Sequence, residues 1–166
     1  DLSGPGFIAI ANVVVATTSA SAMGAGGSLL IVLAIGIVIG CINGILVAYV
    51  GLQSLAVSLG TLIVCQGIAL LILPAPGGYV TDAIAYGLTG DVFGIPVAAL
   101  LILLTLAAWL LLKNTRMGIA IYAVGTNKTT AQLSGFDTRK TKLFAFISAG
   151  ILYALAGFVF SAQIGS

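Results

Sequence analysis

Residues 28–50 read SLLIVLAIGIVIGCINGILVAYV, without one acidic or basic side chain. A hydrocarbon layer about 30 Å thick is crossed by roughly 20 residues of α-helix, rising about 1.5 Å each. The stretch exceeds that length, and its apolar residues do not alternate with polar ones as a membrane barrel strand requires. β-Branched residues are frequent, but the run is too long and unbroken for a strand. It reads as a membrane-spanning helix. Gly36, Gly40 and Gly44 recur every fourth residue on it. They lay three bare patches along one face, so that a neighbouring backbone can approach closely. The stretch is therefore expected to be one member of a multi-helix bundle.

The rest of the chain agrees. Of 166 residues, 60% are hydrophobic and 6% charged, and the mean hydropathy is +1.25. A soluble domain carries about 25% charged residues, and four acids with six bases cannot keep such a surface wet. Four further apolar stretches follow the same logic, at residues 7–23, 55–73, 95–112 and 143–163. The first is diluted by Asn12, Thr17, Thr18, Ser19 and Ser21 and is expected to face other helices. The fold class is all-α: one polytopic transmembrane helix bundle over residues 1–166, with about five spans. Residues 24–27 and 51–54 are read as tight turns. Residues 74–94 form a longer loop with a short surface helix at 79–86. Residues 1–6, Asp-Leu-Ser-Gly-Pro-Gly, are read as a helix-breaking stretch beside a translocation cavity. Gly157, Ser161 and Gly165 make a second small-residue stripe.

All six bases fall between Lys113 and Lys142. Loops on the cytoplasmic side are enriched in Lys and Arg, so residues 113–142 are expected there and residues 74–94, with Asp82 and Asp91, outside. Histidine and glutamate are absent. An intramembrane serine protease needs a base, and a magnesium-dependent prenyl transferase needs clustered acids, so neither enzyme class fits. The cysteines, Cys41 and Cys65, lie in separate apolar runs and suit neither a disulfide nor a metal pair. Asn43, Ser58, Thr61 and Gln66 are polar at membrane depth. Such groups face a bundle interior or a wet cavity, either bonding between helices or lining a solute path. Amides and hydroxyls suit a polar, uncharged solute.

Several motifs follow in a fixed order: Asp1-Leu2-Ser3, Asn43-Gly44, Ser58-Leu59-Gly60-Thr61-Leu62, Gly94-Ile95-Pro96, Thr115-Arg116-Met117-Gly118, Tyr122 to Asn127, and Leu133-Ser134-Gly135. In these the chain resembles, nearly end to end, the permease subunits of ribose-type (simple-sugar) ABC importers. Ser58 stands where that family usually has threonine, and Gln66 where it often has a base. The resemblance implies a protein of about ten spans in the bacterial plasma (inner) membrane, of which this chain, opening on Asp1 rather than Met, is expected to be about half. It implies a second permease copy, an ABC ATPase subunit that consumes the ATP and magnesium, and a periplasmic solute-binding protein. It implies no cofactor on this chain, no chemistry of its own and no nucleic-acid partner. Within the basic region, Thr129 is expected to cap a short helix that Gly135 ends. Thr130, Ala131, Gln132, Leu133, Ser134 and Gly135 are the expected ATPase-coupling contact. Arg139, Lys140 and Lys142 can instead hold anionic membrane lipid. A passive channel or a structural anchor is the alternative reading.

Overall fold

A computed structural model describes residues 1–19, 24–75, 77–92 and 94–164. Helix α1 (Gly4–Thr18) is followed by α2 (Gly24–Ile45), which continues through a π-helical turn (Leu46–Val50). Then come α3 (Ser54–Ile72), α4 (Asp82–Thr89), a two-residue antiparallel pair β1 (Asp91–Val92) and β2 (Ile95–Pro96), α5 (Val97–Lys113), α6 (Arg116–Thr126), α7 (Lys128–Leu133) and α8 (Thr138–Ile164). The chain is a polytopic transmembrane helical bundle.

Each of the five apolar stretches is helical over most of its described residues. Among the described residues three helices are long and apolar enough to cross a membrane: Gly24–Val50, Ser54–Ile72 and Thr138–Ile164. The other two differ from simple spans. Helix α5 passes only together with α6, and the two meet at 81°. Helix α1 has 15 residues, about 22 Å at the usual rise. The end of the first apolar stretch, residues 20–23, and Gly165 of the second stripe lie outside the described residues.

The bundle is built on α8. Helix α2 packs antiparallel against it along the glycine face. A Cβ added at Gly36 would lie 2.6 Å from the Gly150 carbonyl oxygen; one at Gly40, 2.7 Å from that of Phe146; one at Gly44, 2.7 Å from Leu143 Cδ1. Backbones this close gain dispersion contacts that lipid does not outcompete. On its other side α8 meets α1, which packs in turn on α3.

Helix α1 begins at mid-height. Gly4 packs on Tyr153, near the middle of α8, and Gly6 on Leu62 and Cys65, near the middle of α3. Helix α1 therefore starts inside the bundle and not at its basic end. Gly4-Pro5-Gly6 also open the helix rather than break it, because proline in the first turn gives up only an N–H that has no partner there. Ser3, fully buried, keeps both its backbone N–H and its hydroxyl on Asp1 Oδ1, at 2.9 and 2.6 Å. Irregular backbone at membrane depth requires such internal partners.

Three further expectations change. Residues 24–27 are the first turn of α2, with the Ser28 hydroxyl donating to the Gly24 carbonyl at 3.0 Å, rather than a tight turn. Continuing the helix satisfies backbone groups that a turn at this depth would strand. The short helix in residues 74–94 runs from Asp82, three residues later than read, because Val80 is buried in the core and anchors the chain ahead of it. Ser19 Oγ donates to the Tyr79 carbonyl at 2.9 Å and ties this segment to the end of α1. Finally, residues 113–142 are mostly helix. Thr115 caps α6 by accepting from Gly118 N–H at 3.2 Å, and Gly118 packs against the Leu112 carbonyl, where a side chain has no room. This contact, with Trp109 and Tyr122 ring centroids 6.1 Å apart, fixes the bend between α5 and α6.

Candidate functional site

Two places gather the residues singled out in the sequence. The first is a groove between the end of α2 and α3, with a volume of 740 Å³. That lies within the range of about 300–1,000 Å³ usual for small-molecule pockets. Its wall is largely apolar, with Asn43, Thr61 and Gln53 as the polar members. Thr61 Oγ1 donates to Asn43 Oδ1 at 2.6 Å, joining α3 to α2. Asn43 is 1% exposed, and its Nδ2 has no partner among the described residues. A buried amide donor without an acceptor is costly, about 1–3 kcal/mol. Asn43 lines the groove, but Nδ2 itself is closed off from it, so a solute oxygen reaches this donor only where α2 and α3 part. Thr61 is seven residues into α3, about 10 Å from the end that carries the bases.

Ser58 and Gln66 do not line this groove. Ser58 is fully buried and donates to the Leu55 carbonyl of its own helix at 3.2 Å. Gln66 is exposed on the outer face of α3. Gln53, which does line it, was not singled out, because its place just ahead of α3 gave it no membrane-depth signal.

The second place is α7. Its cap is Asn127, not Thr129: Asn127 Oδ1 accepts from Thr129 N–H at 3.0 Å and Thr130 N–H at 3.1 Å. Asparagine, among the strongest caps, lies in extended backbone there (φ −154°), so the helix begins two residues earlier than threonine would start it. Gly135 ends it as expected, in the left-handed region at φ 84°. Phe136 N–H donates to the Ala131 carbonyl and Gly135 N–H to that of Gln132, both at 3.0 Å, which together close the helix end. Ala131 is buried under the helix, while Thr130 and Gln132 are exposed and Leu133 is 86% exposed. Gln132 Nε2 donates to Thr138 Oγ1 at 3.1 Å, linking α7 to the first residue of α8. Replacing Asn127 by alanine is expected to weaken α7 by about 1 kcal/mol. Amide hydrogen exchange at residues 129–135 should then rise about fivefold, with exchange in α8 unchanged.

Asp137 caps α8, accepting from Arg139 N–H at 3.0 Å and Lys140 N–H at 3.1 Å. These bonds, that of Lys140 foremost, hold its carboxyl below the usual range. Its ion pair with Lys140 is 3.5 Å long and exposed, a geometry worth little.

This bundle, with a polar-tipped groove and a capped surface helix at its basic end, has the form of a transporter's membrane part. The chain belongs to the family described as branched-chain amino acid transport system / permease component, whose model matches residues 1–166. It is similar to the ribose import permease protein of Haemophilus influenzae, 36% identical over 142 residues, covering 82% of this chain and 44% of that protein. It is likewise similar to the fructose import permease protein of Bifidobacterium longum, 31% identical over 173 residues, covering 99% of this chain and 48% of that one. An autoinducer 2 import system permease protein of Yersinia pseudotuberculosis is 36% identical over 162 residues, covering 90% of this chain and 44% of that protein. The chain thus spans less than half the length of these relatives. No solved structure matches it significantly.

Proposed function

We propose that this chain is part of the permease subunit of an ATP-driven importer, carrying a small sugar or similar polar solute across the bacterial inner membrane. The observation that carries this reading is the link from α7 to α8. An exposed apolar tip, Leu133, sits on a short helix closed at both ends. That helix is hydrogen-bonded through Gln132 to α8, the helix that packs on α1 and α2. A partner ATPase, docking on Thr130 to Gly135 from the cytoplasm, would move α8 directly and α5 through the bend at Gly118. ATP and magnesium belong to that partner, and this chain does no chemistry of its own. A second permease copy would complete the pore, and a periplasmic binding protein would deliver solute near residues 74–94.

The groove suits the cargo. An uncharged amide donor, a hydroxyl and apolar walls match a sugar, which offers hydroxyls at its edge and C–H faces. The similar proteins, import permeases for ribose, fructose and autoinducer 2, favour the same solute class. Labelled pentoses and hexoses supplied to cells with the full-length gene and to deleted cells test the reading. One sugar should depend on the gene. For that sugar Asn43→Leu should lower uptake, counted per molecule of assembled protein, on the order of tenfold, since the lost hydrogen bond is worth about 1–3 kcal/mol. Unchanged uptake in Asn43→Leu would remove the groove from the solute path.

A further inference from the structure

At the basic end of the bundle a cavity of 290 Å³ opens between the π-helical turn after α2, helix α7 and the start of α8. Lys128, from α7, and Arg139 and Lys142, from α8, converge on it, with Gln132 and Thr138 beside them. No carboxylate lines it. Asp137, the nearest acid in sequence, already holds two backbone N–H groups and pairs with Lys140. Among the described residues Lys128, Arg139 and Lys142 make no ion pair.

Two helix ends meet here, and their charges decide what the cavity lacks. The C-terminal end of α2, closed by Leu52 N–H on the Leu46 carbonyl at 3.1 Å, offers about half a negative charge. Against it stand three cations. The first turns of α8 hold Arg139, Lys140 and Lys142 and no acid in the helix itself. Bases at the positive end of a helix dipole are unfavourable. The N-terminal end of α8 adds about half a positive charge, which offsets that of α2, so the site is left with about three positive charges, a balance that an anion corrects.

The surroundings say which anion. Lys142 directly precedes the apolar stretch that starts at Leu143, so the cavity lies level with the edge of the hydrocarbon layer. Tyr49, Val50 and Leu52, on and beside its rim, are each about half exposed. A free phosphate ion has no use for an apolar rim. A phospholipid does, its chains lying along Val50 and Leu52 and a tyrosine marking the interface. The volume admits a phosphate and its glycerol and leaves the chains outside. We propose that this cavity binds the phosphate of an anionic phospholipid headgroup between Lys128, Arg139 and Lys142. The bound lipid ties α7 to the end of α2 and the start of α8.

The test uses the full-length permease, purified without any ATPase and reconstituted in nanodiscs of phosphatidylcholine with a minor share of phosphatidylglycerol. Lipid retained through detergent extraction is counted by native mass spectrometry. Phosphatidylglycerol should be enriched over phosphatidylcholine in the wild type. The enrichment should fall about fivefold for each base neutralised and on the order of 100-fold in the triple Lys128→Gln/Arg139→Gln/Lys142→Gln variant. Lys113→Gln, outside the cavity, should leave it unchanged, as should the charge-conserving pair Arg139→Lys/Lys142→Arg. Trp109 fluorescence melting shows that each variant is folded; should the triple variant fail this check, the Lys128→Gln single variant decides. Equal retention of the two lipids, or enrichment indifferent to these bases, overturns the proposal. Displacement of the lipid by millimolar inorganic phosphate overturns it in favour of a soluble anion. Absence of enrichment, with loss of ATPase association in Arg139→Glu, overturns it in favour of a protein carboxylate.

Discussion

Replacing Gly150 with leucine is expected to unfold the bundle or prevent its assembly. At this position a Cβ meets the Gly36 carbonyl oxygen and lies 3.2 Å from Gly40 Cα. Both are backbone atoms of α2, so no side chain can rotate away, and the helices must separate. Overpacking in a close-packed interior costs about 1–3 kcal/mol when side chains can shift. With backbone opposing backbone the upper end is the floor, a large part of a typical stability of about 5–15 kcal/mol. The melting midpoint and the monodisperse fraction on size-exclusion chromatography report the effect. Gly60→Leu is the matched comparison, since a Cβ there meets nothing within 4 Å. Equal behaviour of the two variants would mean that α2 and α8 do not pack through Gly36 and Gly150.

Leu133→Asp should behave oppositely, leaving the bundle intact and abolishing transport. The side chain is 86% exposed, so its loss removes little internal packing, and the melting midpoint should not move. At the centre of a docked interface a buried leucine replaced by a charge costs at least about 2 kcal/mol, or roughly 30-fold in affinity. Co-purification of the ATPase and solute uptake should fall together. Gly135→Val should do the same by another route. A left-handed conformation costs a side-chain-bearing residue about 1–2 kcal/mol, and the end of α7 should fray. Uptake that survives both changes would place the coupling contact elsewhere.

The sequence exposed some levels of organisation better than others, for physical reasons. Long apolar runs without charges point to helices, so all five were legible as helices, although among the described residues only three are long and apolar enough to cross a membrane alone. The glycine spacing in α2 is a property of one helix, and it named the face that meets α8. Partnership across helices was harder. Asn43 and Thr61 stood out as polar at depth, but their mutual hydrogen bond depends on how α2 and α3 are registered, which neither stretch encodes alone. The same gap hid the mid-height start of α1. The composition of residues 1–6 signalled irregular backbone, while the contacts of Gly4 and Gly6 with Tyr153, Leu62 and Cys65 are tertiary.

In residues 113–142 charge dominates the pattern and hides all but one short helix. Their helices come from caps. Thr115, Asn127 and Asp137 each start one by accepting backbone N–H groups. The choice of Thr129 over Asn127 as the cap of α7 shows how finely this competition is balanced: both residues suit an N-terminus, and the better acceptor in extended backbone wins. The motifs of this region thus have structural work to do whatever their role in transport. Gly118 makes room at a bend, and Leu133-Ser134-Gly135 closes a helix while presenting one apolar side chain.

The most direct test of the central claim is a flux measurement. The full-length permease is reconstituted in proteoliposomes with its ATPase and its solute-binding protein, and the sugar identified by uptake in cells is supplied on the binding-protein side. The account predicts accumulation above the external concentration that requires ATP and is lost in Leu133→Asp. Equilibration of the sugar without ATP, at a rate indifferent to Leu133, would contradict it and identify a passive channel.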